Sequence, residues 1–393
     1  MIGVGVRDDR PEGSRAHSRS RASERDHWLA LSQVAGIGPA GFAQLLRHHG
    51  SASAAWAAGP DGLRAAARQS PDSEAGFERL RRTDAREIAG RVVRATASAG
   101  GRVVTCLDDD YPPALLNLDP RPPTLYVAGD ADAFHERAVA IVGTRGASGY
   151  GMSITEELAA DLAEAGVVVV SGLALGIDGA AHRAVVDRGH RTVAVLPSPL
   201  DRIYPPRHRE LARRIVATGG ALVTELPVGA AVGRPDFARR NRLIAGLAEA
   251  VVVVEAPDRS GALLTAAAAI ATGRELYAVP GPIDAMGSRG TNRLIADGQA
   301  TIITSTASVM RLIGLPRGER PPALQALSEV EGQLLRRLLE RAGSIEELID
   351  RTGHPAAAVA SALALLEARG LVDPFGGATF HPTMAARRLA GVV

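Results

Sequence analysis

Two glycine-rich stretches stand directly after short apolar runs in the middle of this 393-residue chain. They cover Gly143–Gly151 and Ser171–Gly179. Glycine lets a backbone approach a ligand closely, and a helix that begins after such a stretch presents free N–H groups and the positive end of its dipole. Both stretches are therefore predicted to hold phosphate groups.

A third stretch combines positive charge with an aromatic ring. The segment Arg234–Arg242 holds four arginines and one aspartate, a local charge of +3, around Phe237. Such a cluster is typical of a groove that follows a nucleic-acid backbone and stacks a base, although a solvated basic helix start has the same composition. Because Arg239, Arg240 and Arg242 cannot share one helix face, we expect some to line the groove and others to pair with carboxylates.

A fourth stretch, Glu255–Thr265, again opens a predicted helix with small residues, here Ser260 and Gly261. Several anion sites side by side fit a polyanion better than one mononucleotide. The glycine spacing of the first stretch is not G-x-G-x-x-G, and Ser171 stands where a dinucleotide-binding protein would have a carboxylate for the ribose. A nicotinamide oxidoreductase is therefore disfavoured.

Two polar residues near the second stretch have simpler explanations than ligand binding. Asp178 stands at a predicted helix start, where a carboxylate more often caps the helix. His182 lies one turn later and lacks the paired ligands of a metal site, which favours packing or support of the loop.

The basic residues of this chain are all arginine, because it contains no lysine among its 45 Lys and Arg positions. The P-loop lysine and a Schiff-base lysine are both excluded. Cys106 is the only cysteine, so neither an internal disulfide nor a cysteine-based zinc site can form. We expect no cofactor and no metal.

Apolar, β-branched runs alternate with helix-length segments through the middle of the chain. The runs are Ala138–Val142, Val167–Val170, Thr192–Leu196, Ala221–Thr224, Ala250–Val254, Leu276–Val279 and Thr301–Ile303, with a short additional strand at Leu125–Val127. Strands that are apolar throughout are buried on both faces, and this alternation builds a parallel sheet from βαβ units. The prediction is an α/β, Rossmann-like, mostly parallel sheet with helices on both faces over residues 105–310.

Smaller modules are predicted on either side. Residues 1–26 are polar and charged, which indicates a disordered tail. Residues 27–104 form a helical domain in which Val34–Pro39 indicates either a helix-hairpin-helix (SAM-like) module or a packing module without nucleic-acid contact. A linker over residues 311–326 leads to a winged-helix-like domain over residues 327–385. No apolar run approaches the roughly 20 residues of a membrane span and no signal-peptide core is present, so we expect a cytoplasmic protein without membrane contact.

These segments, taken in order, resemble the DNA-processing protein A (DprA/Smf) family over about residues 105–305. The matching motifs are Ile141–Arg145, Ser171–Ala174, Gly176–Asp178, Leu200–Asp201, Ile203–Pro206, Arg240–Leu247, Ser260–Gly261 and Ser288–Asn292. Members of the family often carry a small helical N-terminal domain and a C-terminal winged-helix domain, as expected here.

The resemblance implies a non-catalytic homodimer that binds and protects single-stranded DNA. It further implies loading of the RecA recombinase during DNA uptake, natural transformation (competence) and recombination. The DNA-binding residues that it implies are Gly143, Thr144, Arg145, Ser171, Gly172, Asn241, Ser260 and Gly261. Arg234 and Phe237 match a basic-plus-aromatic feature of the family, and the expected interface also includes Arg239, Arg240 and Arg242. One departure is Gly146, where many members have Lys or Arg.

An alternative function is that of a nucleotide-processing enzyme. Related Rossmann-like proteins hydrolyse nucleoside monophosphates with a Pro-Gly-Gly-x-Gly-Thr loop and a nearby glutamate. This chain has Arg259–Leu263 in the comparable place, and Glu255 and Asp258 are the nearby carboxylates.

The C-terminal module has an unusual predicted recognition helix. Segment Pro355–Arg369 is nearly all Ala, Val and Leu, and Arg369 is its only basic residue. Direct readout of bases needs Arg, Asn or Gln side chains on the exposed face. This module is therefore predicted to contact protein or another part of the same chain.

Overall fold

The computed structural model describes residues 23–66, 71–305, 308–310, 314, 327–368, 371–375, 379–383 and 386. The chain divides into two compact units, Met1–Pro316 and Arg317–Val393.

A sheet of nine strands, counted over the described residues, runs through the first unit. Its strands are β1 (Arg102–Thr105), β2 (Thr124–Gly129), β3 (Ala138–Val142), β4 (Val168–Ser171), β5 (Thr192–Val195), β6 (Ala221–Thr224), β7 (Ala250–Val253), β8 (Glu275–Ala278) and β9 (Thr301–Ile302). Their order in space is β1-β2-β6-β5-β4-β3-β7-β8-β9. The strands from β6 to β9 pair in parallel, whereas β1 and β2 add an antiparallel edge beside β6. The predicted mostly parallel Rossmann-like sheet is confirmed.

Helices cover both faces of this sheet. The helices of the first unit include α1 (23–32), α2 (Pro39–His49), α3 (Ala52–Ala66), α4 (Pro71–Arg81), α5 (Ala85–Ser98), α6 (Gly149–Glu164), α7 (Ile177–Val186), α8 (Arg209–Ala217), α9 (Arg234–Leu247), α10 (Ala262–Ala271) and α11 (Arg289–Ala296). Because side chains alternate along a strand, β3 contributes to two cores. Val139 and Ile141 pack with α6 and α7, and Ala140 and Val142 pack with α9 and α10.

Helices α1 to α5 surround a core of four aromatic rings. Trp28 packs on Phe42 at 4.8 Å between ring centres, and Trp56 meets Phe77 edge-on at 5.2 Å. The chain between α1 and α2 turns through Gly36, whose φ of 83° lies in the left-handed region that favours glycine. The helical N-terminal segment predicted from the apolar spacing is thus present.

The first four described residues differ from the tail predicted over residues 1–26. Residues 23–26 belong to α1. Glu24 accepts hydrogen bonds from the backbone amides of Ala52 and Ser53 at the start of α3, and Arg25 pairs with Asp108 at 2.9 Å. Composition alone indicated disorder because these charged residues find their partners far along the chain. Residues 1–22 lie outside the described residues.

The sheet also begins earlier than the sequence indicated. β1 starts at Arg102, inside the stretch predicted as the end of the helical domain, and pairs with β2 in register Arg102 to Val127. A single four-residue antiparallel strand carries no βαβ alternation, so its pattern could not be told from the helical run before it.

The described residues of the second unit form helices and a small three-stranded sheet. Its elements are α12 (Glu329–Glu340), α13 (Ile345–Thr352), α14 (Ala356–Ala368), β10 (Gly343–Ser344), β11 (Val372–Phe375) and β12 (Thr379–Pro382), with the strands in the order β10-β12-β11. Leu334, Leu338, Leu348 and Leu363 lie in its own buried core. The predicted winged-helix-like fold is confirmed. Arg369 lies outside the described residues, as does the predicted linker over 311–326 apart from Gly314.

Among the described helices, none is both long and apolar enough to cross a membrane.

Candidate nucleic-acid interface

The first glycine-rich loop connects β3 to α6 and is held at its base by backbone hydrogen bonds. The amide of Thr144 donates to the carbonyl of Glu255 at 2.7 Å, and the amide of Ile177 donates to the carbonyl of Thr144 at 3.3 Å. A Cβ on Gly143 would lie 2.4 Å from the side chain of Ile177, so only glycine fits there. The loop therefore leaves the sheet in a fixed direction.

Arg145 extends from this loop over an aromatic ring of α9. Its guanidinium carbon lies 5.5 Å from the ring centre of Phe237. Tyr204, in the segment after β5, meets the same ring edge-on at 5.4 Å. These residues line a cleft with Leu175 and Pro197, so three strand ends and one helix meet at this position. Arg145 and Phe237 were predicted from the sequence as interface residues. Tyr204 was not, although it belongs to the Ile203–Pro206 motif.

Two exposed arginines at this edge lack acidic partners. Within the described part of the chain, neither Arg145 nor Arg234 forms an ion pair with a carboxylate. Arg239 is also exposed but lies 3.4 Å from Asp236 in its own helix. Cations without an internal counter-ion are available to an anionic ligand.

Arg240 is buried and bonded inside the protein. Its Nη1 atom donates to the carbonyls of Gly172 at 2.5 Å and Val195 at 2.8 Å, and its Nε atom donates to Asn241 at 3.1 Å. Burial lowers the pKa of Arg240 to about 10, against the opposing effect of Asp178. A Cβ on Gly172 would lie 1.8 Å from Nη1, so glycine is required for this arginine to pass. Arg240 thus joins α9 to the carboxyl ends of β4 and β5.

Arg242 lies on another side of α9. It pairs with Glu225 and donates to the carbonyl of Pro120 at 2.5 Å. Burial raises the pKa of the Glu225 carboxyl, and Arg242 opposes that rise. The expectation that the arginines of this helix divide between an open face and internal partners matches their placement.

The remaining predicted site residues surround the same edge with different exposures. Ser171 is fully buried and donates to the carbonyl of Ile141 at 2.6 Å. Asn241 donates to the carbonyl of Gly261 at 3.3 Å, which connects α9 to the start of α10. Ser260 accepts from the amide of Ala262 at 3.2 Å, and Gly261 is exposed with open space at its Cβ position.

Asp178 is not the helix cap that its position in the sequence suggested. Gly176 occupies the cap position of α7, and Asp178 lies inside the first turn. Its carboxylate accepts from the amides of Gly172 at 3.1 Å and Ala174 at 3.4 Å. Burial raises the pKa of this carboxyl, while the positive charge of Arg240 and these amides act to lower it. Asp178 therefore shapes the second glycine-rich loop.

His182 connects α7 to the neighbouring strands β5 and β4. It is fully buried, and its Nδ1 atom lies 2.9 Å from the hydroxyl of Thr192. Since that hydroxyl donates to the carbonyl of Val169 at 2.5 Å, Nδ1 carries the proton and donates to it. Burial lowers the pKa of His182 to about 3, so the ring is neutral at physiological pH. No group of potential metal ligands occurs among the described residues.

Glu255 lies beneath the first loop, at the end of β7. Its Oε2 atom accepts from the amide of Ser148 at 2.9 Å and from the Ser148 hydroxyl at 3.0 Å. Ser148 is the N-cap of α6, and its hydroxyl accepts in turn from the amide of Gly151. Glu255 is one of the two carboxylates near the segment that corresponds to the hydrolase loop, and its side chain is engaged with the start of a helix.

Together these features define a class of protein: a Rossmann-like α/β domain with a basic and aromatic cleft at its strand ends, followed by a winged-helix unit. Residues 102–314 match the family model described as DNA recombination-mediator protein A. Residues 22–78 match the DprA-like N-terminal HHH domain, and residues 318–378 match the DprA winged helix domain. The chain therefore belongs to the DprA family, as its motifs predicted.

Curated relatives agree with this assignment. A protein of Mycobacterium tuberculosis (strain CDC 1551 / Oshkosh) described as DNA processing protein DprA is 40% identical over 369 residues, which cover 88% of this chain and 91% of the relative. Protein Smf of Escherichia coli (strain K12) is 37% identical over 68% of this chain and 74% of its own length.

Two solved structures resemble the chain. DNA processing protein A of Streptococcus pneumoniae is similar with a TM-score of 0.62 and 30% identity, covering 75% of this chain and 98% of that one. DNA processing protein A of Helicobacter pylori, whose structure was described for its single-stranded DNA binding mode, has a TM-score of 0.50 and 30% identity over 55% of this chain and 97% of its own.

Proposed function

We propose that this protein binds single-stranded DNA in the cleft between Arg145, Tyr204 and Phe237. The observation that carries the proposal is Arg145 above the ring of Phe237, without a carboxylate partner among the described residues. A cation beside an aromatic face offers one contact for a phosphate and one surface for an unpaired base. Bases in a duplex already stack on one another, so this pair favours a single strand.

Not every predicted residue would touch the strand. Arg145, Arg234 and Phe237 are accessible at the open edge, and Arg239 lies beside them. The exposed loop at Gly261, with Ser260, would extend the path of the backbone toward α10. We assign these residues to DNA contact, together with the side chain of Thr144.

Other predicted residues would act by support. Ser171, Arg240 and Arg242 use their side-chain donors on backbone carbonyls or a buried carboxylate. Gly172 leaves the space that Arg240 occupies. Asn241 holds α10 against α9.

The finer parts of the proposal draw on the family and on the relative from Helicobacter pylori, described for its single-stranded DNA binding mode. We infer that the chain acts without catalysis, as a homodimer in the cytoplasm. It would protect single strands and load the RecA recombinase onto them during recombination and DNA uptake in natural transformation. In support of a binding role, the deepest carboxylates of the site, Asp178 and Glu255, are held by internal donors.

Two measurements test the proposal. Fluorescence anisotropy with a single-stranded oligonucleotide and its duplex should give tighter binding to the single strand. The lag before RecA hydrolyses ATP, on DNA pre-coated with single-stranded DNA-binding protein, should shorten when this protein is added. Equal affinity for duplex and single strand would refute the DNA proposal, and an unchanged lag would refute only the RecA step.

A further inference from the structure

The carboxylate of Glu255 lies where a doubly wound sheet ordinarily binds its ligand. β3 has β4 on one side and β7 on the other, so the chain changes direction across the sheet between β3 and β7. Ligands of such folds bind outside the carboxyl ends of the strands at that point, often on a helix N-terminus. Here the helix is α6, and Glu255, two residues after the end of β7, lies at the N-terminus of that helix.

The carboxylate of Glu255 accepts hydrogen bonds at the N-terminus of α6, as an external anion at that position would. Its carboxylate accepts from both donors of Ser148, the amide and the hydroxyl. A phosphate on the first turn of α6 would have to displace this carboxylate or lie against it. Two negative charges a few ångströms apart repel strongly in such a partly buried site.

Two glycines leave room for this side chain. A Cβ on Gly151 would lie 2.1 Å from Oε2, and a Cβ on Gly287 would lie 2.1 Å from Oε1. One glycine belongs to α6 and the other to the segment between β8 and α11. The carboxylate is enclosed from two sides, so the fold holds it in a fixed position.

Glu255 also determines the position of Arg145. Its backbone carbonyl accepts from Thr144 at 2.7 Å and its carboxylate from Ser148 at 2.9 Å, so one residue holds both ends of the loop 144–148. Arg145 extends between these two points to Phe237.

We propose that Glu255 is a positioning and specificity residue: a built-in anion that closes the N-terminus of α6 to free phosphates and leaves ligand contact to Arg145. The assignment of ligand contact to Arg145 rests on the proposed function. A free phosphate or mononucleotide cannot use the N-terminus of α6, whereas a DNA strand can still bind to the cation and the aromatic surface of the cleft.

The test measures phosphate binding in the full-length ¹⁵N-labelled protein. Inorganic phosphate is titrated at constant ionic strength, and the backbone amide resonances of Ser148 and Gly151 are followed. Glu255→Gln and Glu255→Ser should gain a saturable shift with an affinity at least about tenfold above that of the wild type. Glu249→Gln is the matched control because it removes the same charge at the other end of β7, where Glu249 pairs with Arg137.

Two outcomes overturn the inference: an equally strong saturable shift in the wild type, or no shift in either folded Glu255 variant. If Glu255→Ser does not fold, the isosteric Glu255→Gln still decides. The proposed function is tested separately by Arg145→Ala with an oligonucleotide. Loss of that proposal would leave the phosphate result for α6 intact, and a failed phosphate result would leave the DNA proposal intact.

Discussion

The guanidinium carbon of Arg145 lies 5.5 Å from the centre of the Phe237 ring, although one residue belongs to the loop after β3 and the other to α9. The contact joins an exposed arginine, which has no carboxylate partner among the described residues, to a partly exposed aromatic ring. It converts two separate sequence motifs into one surface.

Arg145→Ala should weaken binding to a single-stranded oligonucleotide and lower the slope of log K against log salt concentration by about one, because each phosphate contact releases about one counter-ion. Anisotropy titrations at several salt concentrations measure both quantities. Arg137→Ala is the control, since Arg137 precedes β3 at the opposite edge and pairs with Glu249. An unchanged slope for Arg145→Ala would remove this loop from the interface.

Phe237→Ala should lose about 1–3 kcal/mol of oligonucleotide binding, the usual contribution of stacking one base on an aromatic ring. The salt slope should stay as in the wild type because no charge changes. Phe237→Trp should retain binding. Since Arg145 contacts this ring, the double variant with Arg145→Ala should lose less than the sum of the single losses. Strict additivity would mean that the two side chains act on the DNA separately.

Gly172→Ala should destabilise the fold by about 1–3 kcal/mol, because the added methyl group overlaps the guanidinium of Arg240. Chemical denaturation measures the free energy of unfolding. Gly149→Ala is the matched control: it opens α6 with no atom within 4 Å of its Cβ position, and should be neutral or slightly stabilising. Equal stability of the two variants would show that Arg240 moves aside without loss.

Histidine protonation should contribute to acid unfolding through His182. Burial lowers its pKa to about 3 from the usual 6.5, so the unfolded chain takes up this proton first as the pH falls. Stability is therefore retained above about pH 6.5 and lost toward pH 3, at up to about 1.4 kcal/mol per pH unit. His182→Asn, which keeps a donor for Thr192, should reduce this slope in denaturation curves. The exposed His135→Asn is the control, and parallel curves for His182→Asn and the wild type would contradict the argument.

Removal of the winged-helix unit should leave oligonucleotide binding within about twofold of the full chain. This unit has its own core. The exposed positions of α14 include Ala357, Ala360, Ala364 and Leu365, and none of its described exposed residues is an Arg, Asn or Gln, the side chains that most often read bases. A chain ending at residue 320 can be compared with the full chain by anisotropy. Abolished binding would show that the second unit takes part in DNA contact.

The sequence predicted the parallel sheet because its strands are continuously apolar and separated by helix-length segments. Ala138–Val142 and Ala250–Val253 are buried throughout, so their pattern was unambiguous. β1 and the first turn of α1 were not predicted, since their stability comes from partners distant in sequence. The ion pair between Arg25 and Asp108 is one such partner.

The sequence predicted which segments meet at the candidate site, but it did not predict which of their side chains are exposed and which are bonded inside the protein. The arginines from 239 to 242 have the same side chain and nearly the same neighbours in sequence. Only the fold shows that Arg240 faces the ends of β4 and β5 while Arg239 faces solvent. Tyr204 was missed because a lone tyrosine beside prolines gives no sign of the ring it contacts.

The buried attachment of Arg240 has a consequence for the entropy of binding. Phe237 lies one turn before Arg240 on α9, and Arg240 fastens that helix to two strand ends. The aromatic surface is therefore held in its orientation before any ligand arrives. A pre-organised platform loses little conformational freedom on binding, so more of the stacking energy remains as affinity.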